Sequence, residues 1–150
     1  MKKTIFLVAI LFACGTKEQP AADTAATAVG PPALTATELA GTWTGVIMPE
    51  VGDSVLDRFT VISPTGMDSK TVNESSPKDT VAVTHLIDAD SVVATSAPFK
   101  DQTLPGKPTV TFRAVGRMTG GKLAGTSAVM LASKPDSVLM RTRFEMTKNP

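Results

Sequence analysis

From residue 42 to the C-terminus, the sequence alternates between apolar and polar side chains in short runs, and this pattern constrains the fold most strongly. In residues 109–118 and 138–147 every second residue except Thr142 is apolar, and most of the intervening side chains are polar or charged. A repeat of two residues is the period of a β-strand with one buried face. No amphipathic helical segment separates the runs, so the sequence predicts an all-β domain of antiparallel strands.

The alternation predicts about eight strands separated by hairpin turns. The predicted strands are residues 42–48, 54–62, 68–73, 80–87, 91–98, 109–118, 122–132 and 138–147. The three clearest turns are Asp88-Ala89-Asp90, Thr119-Gly120-Gly121 and Lys134-Pro135-Asp136. Gly-Gly readily adopts the positive φ angles of tight hairpin turns. The expected topology is therefore a meander in which each strand pairs with the next.

Such a meander has two exposed edges unless it closes on itself. Closure into an up-and-down barrel removes both edges, and eight strands leave room for packed side chains or one small ligand. A β-sandwich is the alternative. One domain over residues 34–150 accommodates either architecture.

A short helical turn is expected just before the first strand. Thr35 and Glu38 have the spacing of a capping box, and Leu34 and Leu39 occupy the positions of a hydrophobic staple. Gly41 is suited to end the turn. The sequence predicts one turn of helix over residues 36–40.

The N-terminus has the pattern of an export signal. Lys2 and Lys3 precede an apolar run over residues 4–12. This run is shorter than the roughly 20 apolar residues that span a bilayer. Residues 1–13 are therefore predicted to be a signal peptide.

The single cysteine of the chain, Cys14, ends the sequence Leu11-Phe12-Ala13-Cys14, which resembles the bacterial lipobox. The resemblance implies transfer of diacylglycerol to the Cys14 thiol, cleavage before Cys14, and acylation, for example with palmitate. It places the protein in the bacterial cell envelope as a lipoprotein anchored to a membrane. Gly15, where an Asp favours retention in the inner membrane of enteric bacteria, points to the outer membrane, facing the periplasm. Ordinary cleavage that leaves a free thiol is the alternative.

Residues 14–33 are expected to form a flexible linker behind this anchor. Small residues and prolines dominate the segment, and large apolar side chains are absent. It cannot bury enough surface to offset the entropy lost on ordering. As a coil it would reach about 25 Å.

Gly41-Thr42-Trp43, after a helical turn and at the start of an eight-strand meander, resembles the opening of the lipocalin and calycin barrels. The resemblance implies a Trp43 side chain packed across the closed end of the barrel. It also implies an arginine from the last strand, Arg141 or Arg143, lying over that ring. Many members of this family bind small apolar ligands.

The inward-facing set would form an apolar lumen. Its candidate ligand-binding residues are Trp43, Phe59, Val83, His85, Phe112, Met118, Met140 and Phe144. Val55, Val61, Val110 and Met146 are predicted to face the same interior. Met and Phe adapt to varied apolar guests. In so small a domain the same side chains can instead fill the barrel, which leaves a structural or protein-interaction role as the alternative.

Catalytic and cofactor chemistry has little support in the sequence. His85, the only histidine, shares a face with Val81, Val83 and Ile87. It is either an interior histidine whose hydrogen bonds are made within the protein or a functional residue. No nucleophile elbow and no metal-ligand spacing is present. We therefore expect no enzymatic activity, no metal and no cofactor.

The net charge of the chain limits which partners are expected. The net charge is +1, and it becomes −1 when Lys2 and Lys3 are removed with the signal peptide. A nearly neutral protein has no broad field that attracts nucleic acid. The expected partners are a membrane, through the anchor, and either a small apolar ligand or an envelope protein.

Overall fold

The computed structural model describes residues 33–150; the predicted signal peptide, Cys14 and almost all of the predicted linker lie outside the described residues. The described chain contains one short helix and nine strands. They are α1 (Ala36–Leu39), β1 (Gly41–Pro49), β2 (Asp57–Ser63), β3 (Asp68–Asn73), β4 (Ser76–Asp88), β5 (Ser91–Ser96), β6 (Phe99–Lys100), β7 (Thr109–Thr119), β8 (Lys122–Leu131) and β9 (Lys134–Lys148).

The strands form an eight-stranded, antiparallel, closed up-and-down barrel. Neighbours along the chain pair from β1 to β5 and from β7 to β9, β5 pairs with β7, and β9 returns to pair with β1. This confirms the predicted all-β meander and its closure, and it excludes the sandwich.

The two-residue strand β6 is the continuation of β5 after a break. The alternation predicts a single strand over residues 91–98, but the ladder stops after Ser96 and resumes at Phe99. Pro98 has no N–H to donate to a neighbouring strand, which explains the interruption. Beyond it, Phe99 and Lys100 pair with Val110 and Thr109 of β7.

Predicted boundaries of β2, β4 and β9 are wrong, and β4 begins at Ser76 rather than at residue 80. The second strand begins at Asp57, not at residue 54, and Val55 is an exposed loop residue rather than a lumen residue. Lys134-Pro135-Asp136 belongs to β9, and the turn before it lies at residues 132–133. The register of β8 against β9 shifts around Met130, a bulge that local alternation does not reveal.

The helix α1 covers one end of the barrel, as expected from its caps. Thr35 accepts a hydrogen bond from the Glu38 N–H, and the Glu38 carboxylate accepts one from the Thr35 N–H, which completes the capping box. The helix ends at Leu39, one residue before the predicted end.

Leu39 and Trp43 are both buried, and Trp43 Nε1 donates to the Leu39 carbonyl at 2.9 Å. We call this end of the barrel the closed end; it consists of α1, the loop 64–67 and the turns 89–90 and 120–121.

The cation over Trp43 is Lys148, not an arginine. Lys148 pairs with Trp43 across β1 and β9, and its Nζ lies 5.8 Å from the centre of the indole ring. Arg141 is exposed. Arg143 lies at the opposite end of the barrel, where its guanidinium donates to Gly52 O and, at 3.0 Å, to Asp53. The expectation that Arg141 or Arg143 covers Trp43 is therefore wrong, because both stand too far from the end of β9.

Candidate functional site

The interior of the barrel contains a cavity of about 490 Å³. Trp43 and Leu39 line it at the closed end, and the segment from Phe99 to Leu104 lines it at the other end. This second end, which we call the open end, carries the loops 50–56 and 101–108 and the turns 74–75 and 132–133. The volume falls within the range of roughly 300–1,000 Å³ that is typical of small-molecule sites.

Small side chains on neighbouring strands create the space. Ala94 of β5 pairs with Ala114 of β7, which pairs with Ser127 of β8, and all three line the cavity. Gly116 follows on the same inner face of β7. Where larger residues would meet in the middle of the barrel, these strands leave a gap, so side chains do not fill the interior.

Seven of the eight candidate ligand-binding residues line this cavity. They are Trp43, Phe59, Val83, His85, Phe112, Met140 and Phe144. Met118 does not line it; its side chain packs against the apolar cluster around Leu39 and Leu123.

Two of the phenylalanine rings lie against glycine backbones. A Cβ atom on Gly45 would sit 2.7 Å from Phe59 Cζ, and one on Gly116 would sit 2.9 Å from Phe144 Cζ. Both contacts are closer than real Cβ atoms tolerate. Because Gly45 and Gly116 have no Cβ atom, these rings can lie directly against the strand backbone.

The inner face of β3 is polar along its length. Ser69, Thr71 and Asn73 all line the cavity. Ser69 Oγ lies 3.0 Å from Nε2 of His85, and Nδ1 of His85 lies 3.0 Å from the Gly66 carbonyl oxygen. Because a carbonyl only accepts, Nδ1 carries a proton, and in the neutral ring Nε2 accepts a hydrogen bond from the Ser69 hydroxyl. His85 is therefore satisfied by the wall and by the loop 64–67.

A second polar pair lies across the barrel from β3. Ser127 of β8 and Thr142 of β9 are paired in register, and their hydroxyl oxygens are 2.7 Å apart. Thr142 is only 3% exposed. Both residues line the cavity.

The charged residues of the wall are concentrated at the open end. Asp57, Asp79, Lys100 and Asp101 line the cavity there. Asp57 accepts a hydrogen bond of 2.6 Å from Ser75 Oγ, and Asp101 Oδ1 accepts from the Thr103 hydroxyl and N–H. These bonds order the turn and the loop that surround the opening.

The polar wall residues are missing from the sequence-based candidates, although a usable pattern is present. Thr142 alternates with Met140 and Phe144, so its inward position follows from the repeat of two. Ser69 shares its face with Thr71 and Asn73, and Ser127 lies on a strand whose two faces both carry apolar residues, so only the strand pairing reveals their position.

Within residues 33–150, no group of three or more His, Cys, Asp and Glu side chains is placed to hold a metal ion. In the same part of the chain, no helix has the length and apolar content needed to cross a membrane.

No protein-family model, curated protein or solved structure matches this chain.

Proposed function

We propose that the barrel is a lipocalin-like binding module that holds a small, mainly apolar ligand or lipid in its interior. The observation that carries the proposal is the cavity of about 490 Å³ with aromatic and aliphatic walls and a few placed polar groups. This combination is typical of small-molecule sites.

The expected driving force is the removal of apolar surface from water. Each square ångström of apolar surface buried contributes about 25 cal/mol. The lining residues stand on paired strands of a closed barrel, so the site is largely formed before binding and little ordering opposes it. A filled barrel in a purely structural protein would lack this space.

Ala114→Leu tests the proposal. The added atoms would extend into the cavity from the middle of the small-residue row and occupy the space of the ligand. We expect N-phenyl-1-naphthylamine, a neutral apolar dye that brightens when buried, to bind the protein and to lose at least tenfold in affinity in this variant, as measured by fluorescence titration.

The matched control is Ala82→Leu, the same change at an exposed position of β4. It should leave dye binding unchanged. Equal dye binding by the Ala114→Leu variant, with its fold intact by circular dichroism, would show that the dye occupies another site.

We further propose that the protein is a lipoprotein anchored at Cys14 in the bacterial outer membrane, facing the periplasm. The lipobox and the preceding apolar run support this location. Leu34 donates its N–H to Ala89 O at the closed end of the barrel. A tether would therefore join the barrel at the end opposite the cavity opening.

Cys14→Ser tests the anchor. The wild-type chain expressed in a bacterial host should fractionate with membranes and carry an acylated N-terminal peptide in mass spectrometry. Cys14→Ser should lose the acyl mass, and Thr16→Ser should keep it. A Cys14 thiol that reacts with an alkylating reagent in the mature wild-type protein would contradict the anchor.

The proposal assigns no enzymatic role and no cofactor to the barrel. His85, the one histidine, makes hydrogen bonds through both ring nitrogens to Gly66 O and Ser69 Oγ. The partner at Nδ1 is a neutral carbonyl rather than a carboxylate, which supports a structural role in the wall over that of a general base.

A further inference from the structure

The polar groups in the middle of the cavity are one imidazole and several hydroxyls, with no carboxylate, lysine or arginine among them. His85, Ala94, Ala114, Ser127 and Thr142 face one another in successive strand pairs from β4 to β9. The row therefore begins with an imidazole, passes two methyl groups and ends with two hydroxyls. Ser69, beside His85, is 5% exposed, and Thr142 is 3% exposed.

The two hydroxyls at the end of this row can make one more hydrogen bond than they make within the protein. One of Ser127 and Thr142 donates to the other across 2.7 Å. The accepting hydroxyl keeps its own hydrogen, for which the described residues supply no partner. Burying an unused donor costs free energy, and a ligand acceptor in the cavity would recover it.

Ser69, on the opposite wall, can accept a hydrogen bond from a ligand. When the Ser69 hydroxyl donates its hydrogen bond to His85, the hydroxyl oxygen still has lone pairs that can accept another hydrogen bond. The lumen thus presents both a donor and an acceptor, and both are hydroxyl groups.

The charges on the wall oppose an anionic ligand. Among the described residues that line the cavity, three are aspartates and one, Lys100, is a lysine; no arginine lines it. An anion buried in a low-dielectric interior needs a cationic partner to offset its desolvation. Lys100 stands at the opening beside Asp101 and pairs with Thr109, whereas the row crosses the same strand at Ala114.

We propose that the ligand is a neutral amphiphile: an apolar body that carries one uncharged hydrogen-bonding group, such as a hydroxyl, ester or amide. The apolar body lies against Phe59, Phe112 and Phe144, and the polar group bonds to the Ser127–Thr142 pair. Fatty-acid carboxylates and phosphate esters are disfavoured, because no lysine or arginine lies in the row and His85 is already bonded to Gly66 O and Ser69 Oγ. This inference rests on the proposed function and specifies its ligand class.

The test compares two ligands of equal chain length, decanol and decanoate, at neutral pH. Each is titrated against the protein carrying N-phenyl-1-naphthylamine, and displacement of the dye is followed by fluorescence. We expect decanol to displace the dye at a concentration at least tenfold lower than decanoate. The double variant Ser127→Ala, Thr142→Val should reduce this preference severalfold, because it removes both partners of the pair without stranding either.

Thr126→Val is the matched control, since Thr126 is exposed on the same strand. It should leave the decanol preference unchanged. Displacement by decanoate at an equal or lower concentration overturns the inference while the binding cavity stands. Full decanol preference in the double variant also overturns it. Failure of the dye to bind at all instead refutes the proposed function.

Discussion

Trp43 connects the closed end of the barrel to the cavity. The residue is 1% exposed, its Nε1 donates to Leu39 O, and Lys148 covers one face of the ring. The indole also lines the lumen. One side chain therefore both fixes α1 to the first strand and forms the floor of the site.

At the same scale, Glu38 predicts a pH dependence of stability. Hydrogen bonds from the Thr35 hydroxyl and N–H hold the pKa of Glu38 below its ordinary value, with a smaller attraction from Lys148. A carboxylate whose pKa is lowered by folding stabilises the protein above its unfolded pKa, and this stabilisation is lost as the pH falls through its folded pKa. Glu38→Gln should thus destabilise the protein at neutral pH, and the penalty should be smaller at about pH 3, where more of the carboxylate is protonated.

Urea unfolding followed by circular dichroism at both pH values measures this difference. Glu50→Gln, an exposed glutamate in a loop, is the control and should change little at either pH. A penalty for Glu38→Gln that persists undiminished in acid would mean that the carboxylate charge plays no part in the cap.

Local patterns predict the residue-scale features that depend on neighbours in sequence. The capping box needs only four residues, and the inward positions of Phe112, Met140 and Phe144 need only the repeat of two. The partner of Trp43 depends on how β1 and β9 align, which is a non-local property. For this reason the sequence points to two arginines closer to the centre of the last strand and misses Lys148.

At the scale of elements, the loop 64–67 packs against α1 through Gly66. A Cβ atom at Gly66 would overlap the Ala36 carbonyl oxygen, and the φ angle of Gly66 is 79°. Gly106, in the loop at the open end, has a similar φ angle of 76°, but a Cβ atom there would meet nothing within 4 Å. The two glycines differ only in what surrounds them.

Gly66→Ala and Gly106→Ala therefore separate backbone strain from contact. Both should lose roughly 1–2 kcal/mol for an L-residue at positive φ. Gly66→Ala should lose about 1–3 kcal/mol more through overpacking against α1. Urea midpoints measure the two losses, and equal losses would show that α1 does not hold the loop.

Strands and tight turns are largely predictable from the sequence, and irregularities between strands are not. Gly120 and Gly121 adopt φ angles of 58° and 80°, as a tight Gly-Gly hairpin requires. The last turn lies two residues before its predicted position, because the bulge near Met130 arises from pairing between β8 and β9. The break at Pro98 has a visible cause in the sequence, but the resumption of pairing at Phe99 does not.

At the scale of the whole molecule, the cavity is a property of closure. Ala94, Ala114, Gly116 and Ser127 are ordinary residues within their own strands. They leave a shared space only because β5, β7 and β8 are adjacent in the closed barrel and in this register. The sequence predicts the barrel because a meander of strands must close to remove its two exposed edges. It does not predict whether side chains fill the interior, because no local pattern shows how small residues align across neighbouring strands.

Whether this interior receives an apolar ligand is decided best by a crystal structure of the protein with a bromine-terminated undecanol. We expect an anomalous bromine peak inside the barrel, between the small residues around Ala114 and the ring of Trp43. A barrel interior closed by side chains, with bromine found only on the outer surface, would contradict the binding role.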